Sequence, residues 1–290
     1  MNNPYISIII PTYNSGEILK FALDGIMKQR CPKNYYEIIV ADNYSTDNTV
    51  EIAVRYGARL IKVGGTPPQV CRQRNLGAEN ARGLYVLFLD HDVELSENLI
   101  GNFVKLIKGG KADADAWYLP YRDIASSKLL TEIRNLEDEF YLNSVVAAAR
   151  VVKKDFLIRN GVKFDINLSS GPSDWDFDLQ LKLKNAKFGI LKDYVYHHEE
   201  GLSLWKYITK KANYIKGGEI YKNKWEKINP KLFKEVVVKQ YNPFHRLVWI
   251  FVERGKWKKL LPKLHIYLLF LITKFMMAAW YWYKLSRQEQ

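Results

Sequence analysis

Short β-branched runs alternate with helix-like segments over the first 90 residues, and this alternation constrains the fold more than any other feature of the chain. We predict strands at residues 6–10, 38–41, 58–63 and 84–89, and helices at 17–28, from about 49, and at 69–80. Such alternation indicates a mainly parallel α/β sheet with helices on both faces. Ligands of such sheets bind beyond the carboxyl ends of the strands.

The residues that follow these strands are mostly polar. They are Pro11, Thr12, Tyr13 and Asn14 after the first strand, Asp42 and Asn43 after the second, and Asp90, His91 and Asp92 after the fourth. No glycine-rich phosphate loop follows the first strand, which argues against a dehydrogenase or a P-loop nucleoside triphosphatase. A nucleotide could still bind here, but a metal ion would have to neutralise its phosphates.

Asp90 and Asp92 stand two residues apart at the end of an apolar strand. In an extended segment their side chains point the same way, so both carboxylates can approach one divalent cation. Oxygen ligands suit Mg²⁺ or Mn²⁺ bound to a diphosphate. The structural alternative is that Asp92 caps a helix that begins near Asn98.

A second acidic run, Asp174, Asp176 and Asp178, precedes a leucine-rich helical segment. One of these carboxylates, held near a reacting hydroxyl, could act as a general base. The alternative is that the three residues cap the helix and interact with its dipole.

An adjacent histidine pair, His197 and His198, follows further along the chain. One of these imidazoles could complete a metal site with the carboxylates of Asp90 and Asp92. A surface position for the pair is the competing interpretation.

The formal net charge of +13 comes entirely from the last third of the chain. Residues 1–200 hold 25 basic and 26 acidic side chains, whereas residues 201–290 hold 19 basic and 5 acidic ones together with six of the eight tryptophans. We therefore predict a near-neutral domain at residues 1–203 and a basic, aromatic-rich helical region for membrane association at residues 204–290.

Residues 264–283 form an apolar run whose only charged residue is Lys274. Twenty helical residues would extend about 30 Å, enough to cross a bilayer. However, Lys274 would lie on one stripe with Lys259 and Lys263, which favours a helix lying on an anionic membrane surface. A dimerisation helix is the second interpretation, and the continuous apolar run argues against a nucleic-acid site.

Four motifs, in order along residues 5–200, resemble those of family 2 glycosyltransferases, which have the GT-A fold. They are Ser7-Ile-Ile-Ile-Pro-Thr-Tyr-Asn14, Ile38-Ile-Val-Ala-Asp-Asn-Tyr-Ser-Thr-Asp47, Arg74-Asn-Leu-Gly-Ala78 and Gly83-Leu-Tyr-Val-Leu-Phe-Leu-Asp-His-Asp92. No single motif identifies the family, but the four motifs in this order make the resemblance specific.

The resemblance implies a role for each matching residue. Pro11, Tyr13 and Asn14 would line the nucleotide pocket, Asp42 would bond to the base, and Arg74 would lie beside the nucleotide. Asp90 would face the ribose or the metal. Asp92 and His198 would bind Mn²⁺ or Mg²⁺, and His197 is the competing choice for the histidine ligand. Ser173-Asp174 stands where the family has Glu-Asp. The base is therefore expected at Asp174, or at Asp176 by the alternative alignment.

The resemblance also implies an inverting transfer of a sugar from a UDP- or GDP-sugar. Combined with the apolar C-terminal region, it predicts a lipid-linked glycan or polyprenyl acceptor at the cytoplasmic face of the cell membrane. The protein would be peripheral or monotopic there, and a single membrane span is the alternative.

Two cysteines without paired spacing suit a reducing compartment. A homo-oligomer is possible. The alternative function is a catalytically silent GT-A-like module that binds a nucleotide or scaffolds a membrane complex.

Overall fold

A computed structural model describes residues 3–65, 69–168, 172–212 and 217–288 of the chain. The described residues form two compact units. Unit 1 takes its residues from within 1–121, 148–169 and 173–198, and unit 2 takes its residues from within 122–147, 170–172 and 199–290. Each unit has a hydrophobic core of its own.

The strands of the described chain are β1 (Ile6–Thr12), β2 (Tyr36–Asp42), β3 (Arg59–Lys62), β4 (Tyr85–Phe88), β5 (Val93–Leu95), β6 (Ala116–Tyr118), β7 (Tyr121–Ala125), β8 (Val151–Lys153), β9 (Phe188–Ile190) and β10 (Val195–Glu199). Seven of those described form one sheet in the order β3-β2-β1-β4-β8-β6-β9. β1 pairs parallel with β2 and β4, and β2 pairs parallel with β3. β8 runs antiparallel to β4 and β6, and β10 runs antiparallel to β5.

The α-helices are α1 (Leu19–Met27), α2 (Thr49–Arg55), α3 (Val70–Glu79), α4 (Leu99–Lys108), α5 (Lys128–Tyr141), α6 (Lys154–Asn160), α7 (Ser173–Leu183), α8 (Leu204–Ala212), α9 (Gly218–Ile228), α10 (Pro230–Leu232), α11 (Val238–Tyr241), α12 (Ile250–Val252), α13 (Trp257–Leu260) and α14 (Leu264–Gln288). The predicted strands are β1 to β4 and the predicted helices are α1 to α3, so the mainly parallel α/β class is confirmed. Ile8, Ile9 and Ile10 are completely buried because side chains cover both faces of β1.

Unit 2 has a core shared by α5 and the C-terminal helices. Leu136 and Phe140 of α5 pack in one apolar cluster with Phe251 of α12 and Phe270 of α14. Because α5 buries its apolar face there, residues 122–147 belong with the C-terminal region. The predicted domain boundary at residue 203 therefore differs from the structure, since it omits this earlier segment.

Lys274 faces the interior of unit 2. Its Nζ donates a 2.8 Å hydrogen bond to Oε1 of Glu137, and the two side chains are only 12% and 4% exposed. Lys263 forms an ion pair with Glu139. The prediction that Lys274 shares a membrane-facing stripe with Lys259 and Lys263 is wrong, because a buried carboxylate draws the ammonium group inward.

The opposite face of α14 is apolar and exposed. Leu264, Leu268, Ile272, Phe275 and Trp282 recur at helical spacing along it. The segment Trp257–Lys284 is long and apolar enough to cross a membrane, a test that the core helix of a soluble protein can also pass.

Candidate active site

The loops that follow β1 and β2 are tied together at the carboxyl edge of the sheet. The N–H of Asn14 donates to Oγ of Ser45 at 2.8 Å, and the N–H of Thr46 donates to Oδ1 of Asn14 at 2.8 Å. Asn14 has a positive φ of 45°, a conformation that asparagine adopts more readily than most residues. These bonds fix both loops where the nucleotide pocket is predicted.

Asp42 ends β2 beneath these loops. Its Oδ1 accepts a 2.9 Å hydrogen bond from Oγ1 of Thr12, and its Oδ2 accepts a 2.9 Å hydrogen bond from the N–H of Ser45. Asp42 is almost fully buried, whereas Tyr13 is exposed. Tyr13 is therefore more open to a nucleobase than Asp42, and the bond between Asp42 and the base stays a prediction.

Pro11 is part of the packed sheet. It lies within β1, is paired with Ala41 of β2, and is buried. It lies two residues beyond Ile9, the last residue of β1 that pairs with β4, so its missing N–H leaves no gap in that ladder. A place for Pro11 in the nucleotide pocket stays a prediction, since the packed sheet encloses its ring.

α3 brings Arg74 to the same edge of the sheet. The helix approaches β1 so closely at Gly77 that a Cβ there would lie 2.4 Å from Cγ2 of Ile9. Nε2 of Gln73 donates a 2.7 Å hydrogen bond to the carbonyl oxygen of Thr12. The close approach and this bond hold α3 in place, so Arg74 projects from a rigid helix.

Two arginines and two aspartates form an ionic cluster at this edge. Arg74 donates from Nη2 to Asp90 Oδ1 at 2.6 Å and from Nη1 to Asp174 Oδ1 at 2.8 Å. Nη2 of Arg150 lies 3.5 Å from Asp90 Oδ2 and 3.4 Å from Asp174 Oδ2. Burial opposes the ionisation of Asp90, but the charges of Arg150 and Arg74 hold its pKa well below the usual range. The cluster thus brings Arg74 and Asp90, which were predicted at the donor site, into contact with Asp174, the predicted general base.

Asp176, the alternative base, does not share this position. Residues two apart on an α-helix lie about 200° apart around its axis, so Asp174 and Asp176 face different ways on α7. Asp176 is completely buried and accepts a 2.8 Å hydrogen bond from Nε2 of Gln180, whereas Asp174 is partly exposed. α7 thus turns Asp176 into the core and leaves Asp174 at the edge, so the geometry favours Asp174 of the two predicted bases.

The adjacent histidines of β10 point to opposite faces of the strand, as consecutive strand residues do. Nε2 of His197 lies 3.4 Å from Oδ2 of Asp92. Nε2 of His198 lies 2.9 Å from Oε2 of Glu94, and its ring stacks on Phe21 with 3.9 Å between centroids. The metal-binding role of His198 stays a prediction, and the competing residue His197 is the imidazole that lies beside Asp92.

Asp92 and His197 have the chemistry of a divalent cation site. Burial opposes the ionisation of Asp92, but the hydrogen bond and charge of His197 hold its pKa below the ordinary value. An ionised carboxylate and an imidazole nitrogen are both ligands that suit Mn²⁺. Asp90 differs, because both of its oxygens already interact with arginines. The residues present therefore fit a metal ion held by Asp92 and His197.

Arg150 is the residue of this site that no sequence motif indicated. It immediately precedes β8, and its carbonyl oxygen accepts a 2.9 Å hydrogen bond from the N–H of Phe88 in β4. The antiparallel pairing of β8 with β4 thus carries Arg150 to the strand end that leads into Asp90. This pairing joins segments about 60 residues apart, and local patterns do not encode such a distance.

Residues 7–149 match the protein family described as Glycosyl transferase family 2. The chain is 26% identical over 206 residues to the poly(ribitol-phosphate) beta-glucosyltransferase of Bacillus spizizenii, covering 67% of this chain and 32% of that protein. It is 32% identical over 114 residues to glycosyltransferase AglE of Haloferax volcanii, covering 38% of each chain. It is 25% identical over 202 residues to the poly(ribitol-phosphate) beta-N-acetylglucosaminyltransferase TarP of Staphylococcus aureus, covering 66% of this chain and 62% of that protein. The matched part thus spans less than two thirds of each relative.

Two solved structures are similar over nearly the whole chain. One is Staphylococcus aureus TarS 1–349 in complex with UDP-GlcNAc, with a TM-score of 0.61, 19% identity, and coverage of 92% of this chain and 79% of that chain. The other is the mannosyltransferase PcManGT of Pyrobaculum calidifontis in complex with GDP-Man and Mn²⁺, with a TM-score of 0.62, 18% identity, and coverage of 96% and 85%. These likenesses confirm the predicted GT-A fold.

Proposed function

Because the chain belongs to glycosyl transferase family 2, we propose that it transfers a sugar from a nucleotide diphosphate sugar to an acceptor hydroxyl with inversion at the anomeric carbon. The observation that carries this proposal is the position of Asp174, whose partly exposed carboxylate shares two arginines with Asp90. A general base must be ionised and open to the group whose proton it accepts. Asp174 meets the requirement of access, whereas the buried Asp176 does not.

The reaction that fits this arrangement is a single displacement. Asp174 accepts the proton of the acceptor hydroxyl while the hydroxyl oxygen bonds to the anomeric carbon. The bond from that carbon to the diphosphate breaks on the opposite side, and the nucleoside diphosphate leaves with the electron pair. Asp92 and His197 would hold Mn²⁺ or Mg²⁺, which when bound supplies a Lewis acid that offsets the charge of the leaving diphosphate.

The donor that we propose is a UDP- or GDP-sugar. The two structures of the same fold contain UDP-GlcNAc in one case and GDP-Man in the other. In this chain, exposed Tyr13 beside the bonded loops offers a ring on which either base can stack. These observations support the class of donor, and the sugar is left to experiment.

The acceptor that we propose is a hydroxyl of a lipid-linked glycan or of a teichoic-acid-type polymer. Two of the relatives named above act on poly(ribitol-phosphate), a polyanion. Residues 201–290 carry 19 basic and 5 acidic side chains, and this excess suits either a phosphate-containing chain or anionic lipid headgroups.

We also propose that unit 2 lies on the cytoplasmic surface of the cell membrane through the exposed face of α14. That face is apolar along Leu264, Leu268, Ile272 and Phe275, and Trp282 stands near its end, which is a usual place for tryptophan at a lipid interface. Lys274 presents no charge to lipid, since it is paired with Glu137 inside unit 2. An apolar face without a central charge is the composition that in-plane binding requires.

The test is a panel of UDP- and GDP-sugars incubated with the full chain and Mn²⁺. We expect one donor to be hydrolysed slowly without acceptor, to be used faster with a poly(ribitol-phosphate) or polyprenyl-phosphate glycan, and to be spared when EDTA removes the metal. Stabilisation of the protein by a nucleotide, with no turnover of any donor under any of these conditions, would instead support a silent binding module.

A further inference from the structure

The arginines of the ionic cluster lie beneath its carboxylates. The side chains of Arg74 and Arg150 are 5% and 13% exposed, whereas those of Asp90 and Asp174 are 31% and 34% exposed. A ligand that enters from solvent therefore meets the carboxylates first. The two guanidinium groups thus lie deeper in the protein than the two carboxylates, and the cluster of four charged groups has no net charge.

Each arginine touches both carboxylates, which makes the cluster a closed bridge. Arg74 spans Asp90 Oδ1 and Asp174 Oδ1 at 2.6 and 2.8 Å, and Arg150 spans the two Oδ2 atoms at 3.5 and 3.4 Å. Two neighbouring carboxylates would otherwise repel each other. A guanidinium group is planar and has several donors, so it can hold both at fixed positions where an ammonium group cannot.

Both arginines are anchored to rigid elements. Arg74 projects from α3, and Arg150 is held by its backbone on both sides: its N–H donates to the carbonyl oxygen of Trp117 at 3.0 Å, and its carbonyl oxygen accepts from Phe88 at 2.9 Å. These bonds join the residue to β6 and β4, so the position of its side chain is set by the sheet. Asp174, in contrast, lies in the first turn of α7.

We propose that Arg150 is the positioning residue for Asp174. The proposal rests on the proposed role of Asp174 as the base. Oδ1 of Asp174 is held by Arg74 at 2.8 Å, whereas Oδ2 lies at a longer distance, 3.4 Å, from Arg150. The geometry assigns Oδ2 as the atom that accepts the acceptor proton, with Arg150 aiming it and Arg74 restraining its partner oxygen.

The test compares Arg150→Met, which replaces the aliphatic stem but removes the guanidinium group and its charge, with Arg150→Lys, which keeps the charge but not the planar fork. Transfer kcat, donor KM and the binding of UDP and GDP with Mn²⁺ are measured for each. Misplacement of a reacting group by about 1 Å costs on the order of 100-fold in rate. We expect a loss of that size in kcat for Arg150→Met, a smaller loss for Arg150→Lys, nucleotide affinity that changes little, and partial recovery of Arg150→Met by added guanidinium.

Arg59→Met is the matched control. Arg59 forms a 3.0 Å ion pair with Glu37 near the amino ends of β2 and β3, the edge of the sheet opposite the cluster, so its loss should leave kcat unchanged. A loss of nucleotide affinity that accounts for the whole loss of kcat/KM in Arg150→Met would overturn the proposal, because Arg150 would then bind the donor diphosphate. Unchanged kcat would overturn it as well. Thermal unfolding of both Arg150 variants shows whether they are folded. If Arg150→Met is misfolded, Arg150→Lys tests the proposal with a milder change.

The base assignment is checked separately. If Asp174→Asn keeps full turnover, the proposed function of Asp174 fails whatever the Arg150 variants do. If Asp174→Asn is inactive and Arg150→Met is fully active, only the positioning role fails.

Discussion

Nε2 of His197 lies 3.4 Å from Oδ2 of Asp92, whereas Nε2 of the adjacent His198 lies 2.9 Å from Oε2 of Glu94. The two imidazoles are neighbours in the chain and belong to opposite faces of β10. Substitution of each in turn therefore separates a role in metal binding from a role in packing.

We expect His197→Ala to raise the Mn²⁺ concentration needed for half-maximal activity by at least about 10-fold, since loss even of a supporting group at a metal site costs that much. His198→Ala is the control and should keep the Mn²⁺ requirement, with a lower Tm because its stack on Phe21 is lost. Metal titrations of donor hydrolysis give both values. The reverse pattern would restore His198 as the ligand.

Asp174→Asn should lower transfer by about 100- to 10,000-fold, the usual contribution of a general base. Binding of the nucleotide with Mn²⁺ should persist, because the amide keeps the shape of the side chain. Turnover and calorimetric titration measure the two effects.

Asp176→Asn should act on stability and not on chemistry. Asp176 is completely buried and bonded to Gln180, so the amide disturbs packing while the folded enzyme keeps its kcat. A well-folded Asp176→Asn protein without turnover would show that the side chain takes part in the reaction.

The stability of the chain should fall in acid partly through Asp90. Its pKa is lower in the folded protein than its ordinary value of 3.8, so the unfolded chain binds more protons between the two values. The stabilisation is complete above the ordinary value and is lost as the pH falls through the folded one. Urea unfolding followed by circular dichroism between about pH 2 and pH 6 should show a shallower acid loss for Asp90→Asn. Equal slopes would mean that Asp90 gains nothing from its arginines.

Phe275→Asp should weaken binding to anionic vesicles. Phe275 is 76% exposed on α14, and an aspartate in an apolar membrane segment costs about 3 kcal/mol, or roughly 100-fold in affinity. Ile158→Asp is the control, because Ile158 is an exposed apolar residue of α6 in unit 1. Cosedimentation measures both. Equal binding by the two variants and the wild type would remove α14 as the contact.

Lys274→Met should destabilise unit 2 by about 3–5 kcal/mol, because it leaves the carboxylate of Glu137 buried without its ammonium partner. Adding Glu137→Leu removes the stranded charge and should recover much of the loss. Tryptophan fluorescence during urea unfolding reports mainly on unit 2, since six of the eight tryptophans lie in residues 201–290. A double variant no more stable than Lys274→Met would show that the pair is not the cause.

The parts of this protein that local patterns encode were predicted from the sequence. β1, β2 and β4 are short apolar runs with polar residues soon after them, so the alternation indicates both the parallel sheet and its binding edge. The order of the motifs indicates the family for the same reason. The helical period also predicts that Asp174 and Asp176 face different ways, but this argument requires knowing that both residues lie within α7.

The remaining features depend on pairings between distant segments. Arg150 reaches Asp90 through the antiparallel register of β8 with β4, His197 reaches Asp92 through that of β10 with β5, and Lys274 turns inward because Glu137 of α5 lies in the same core. The sequence by itself determined the fold class, the family and the acidic residues at the strand ends, since these follow from composition and spacing along the chain. Only the tertiary structure decided which histidine lies beside Asp92, which aspartate joins the arginines and which face of α14 is exposed, because side-chain direction depends on strand register and on partners far away in sequence.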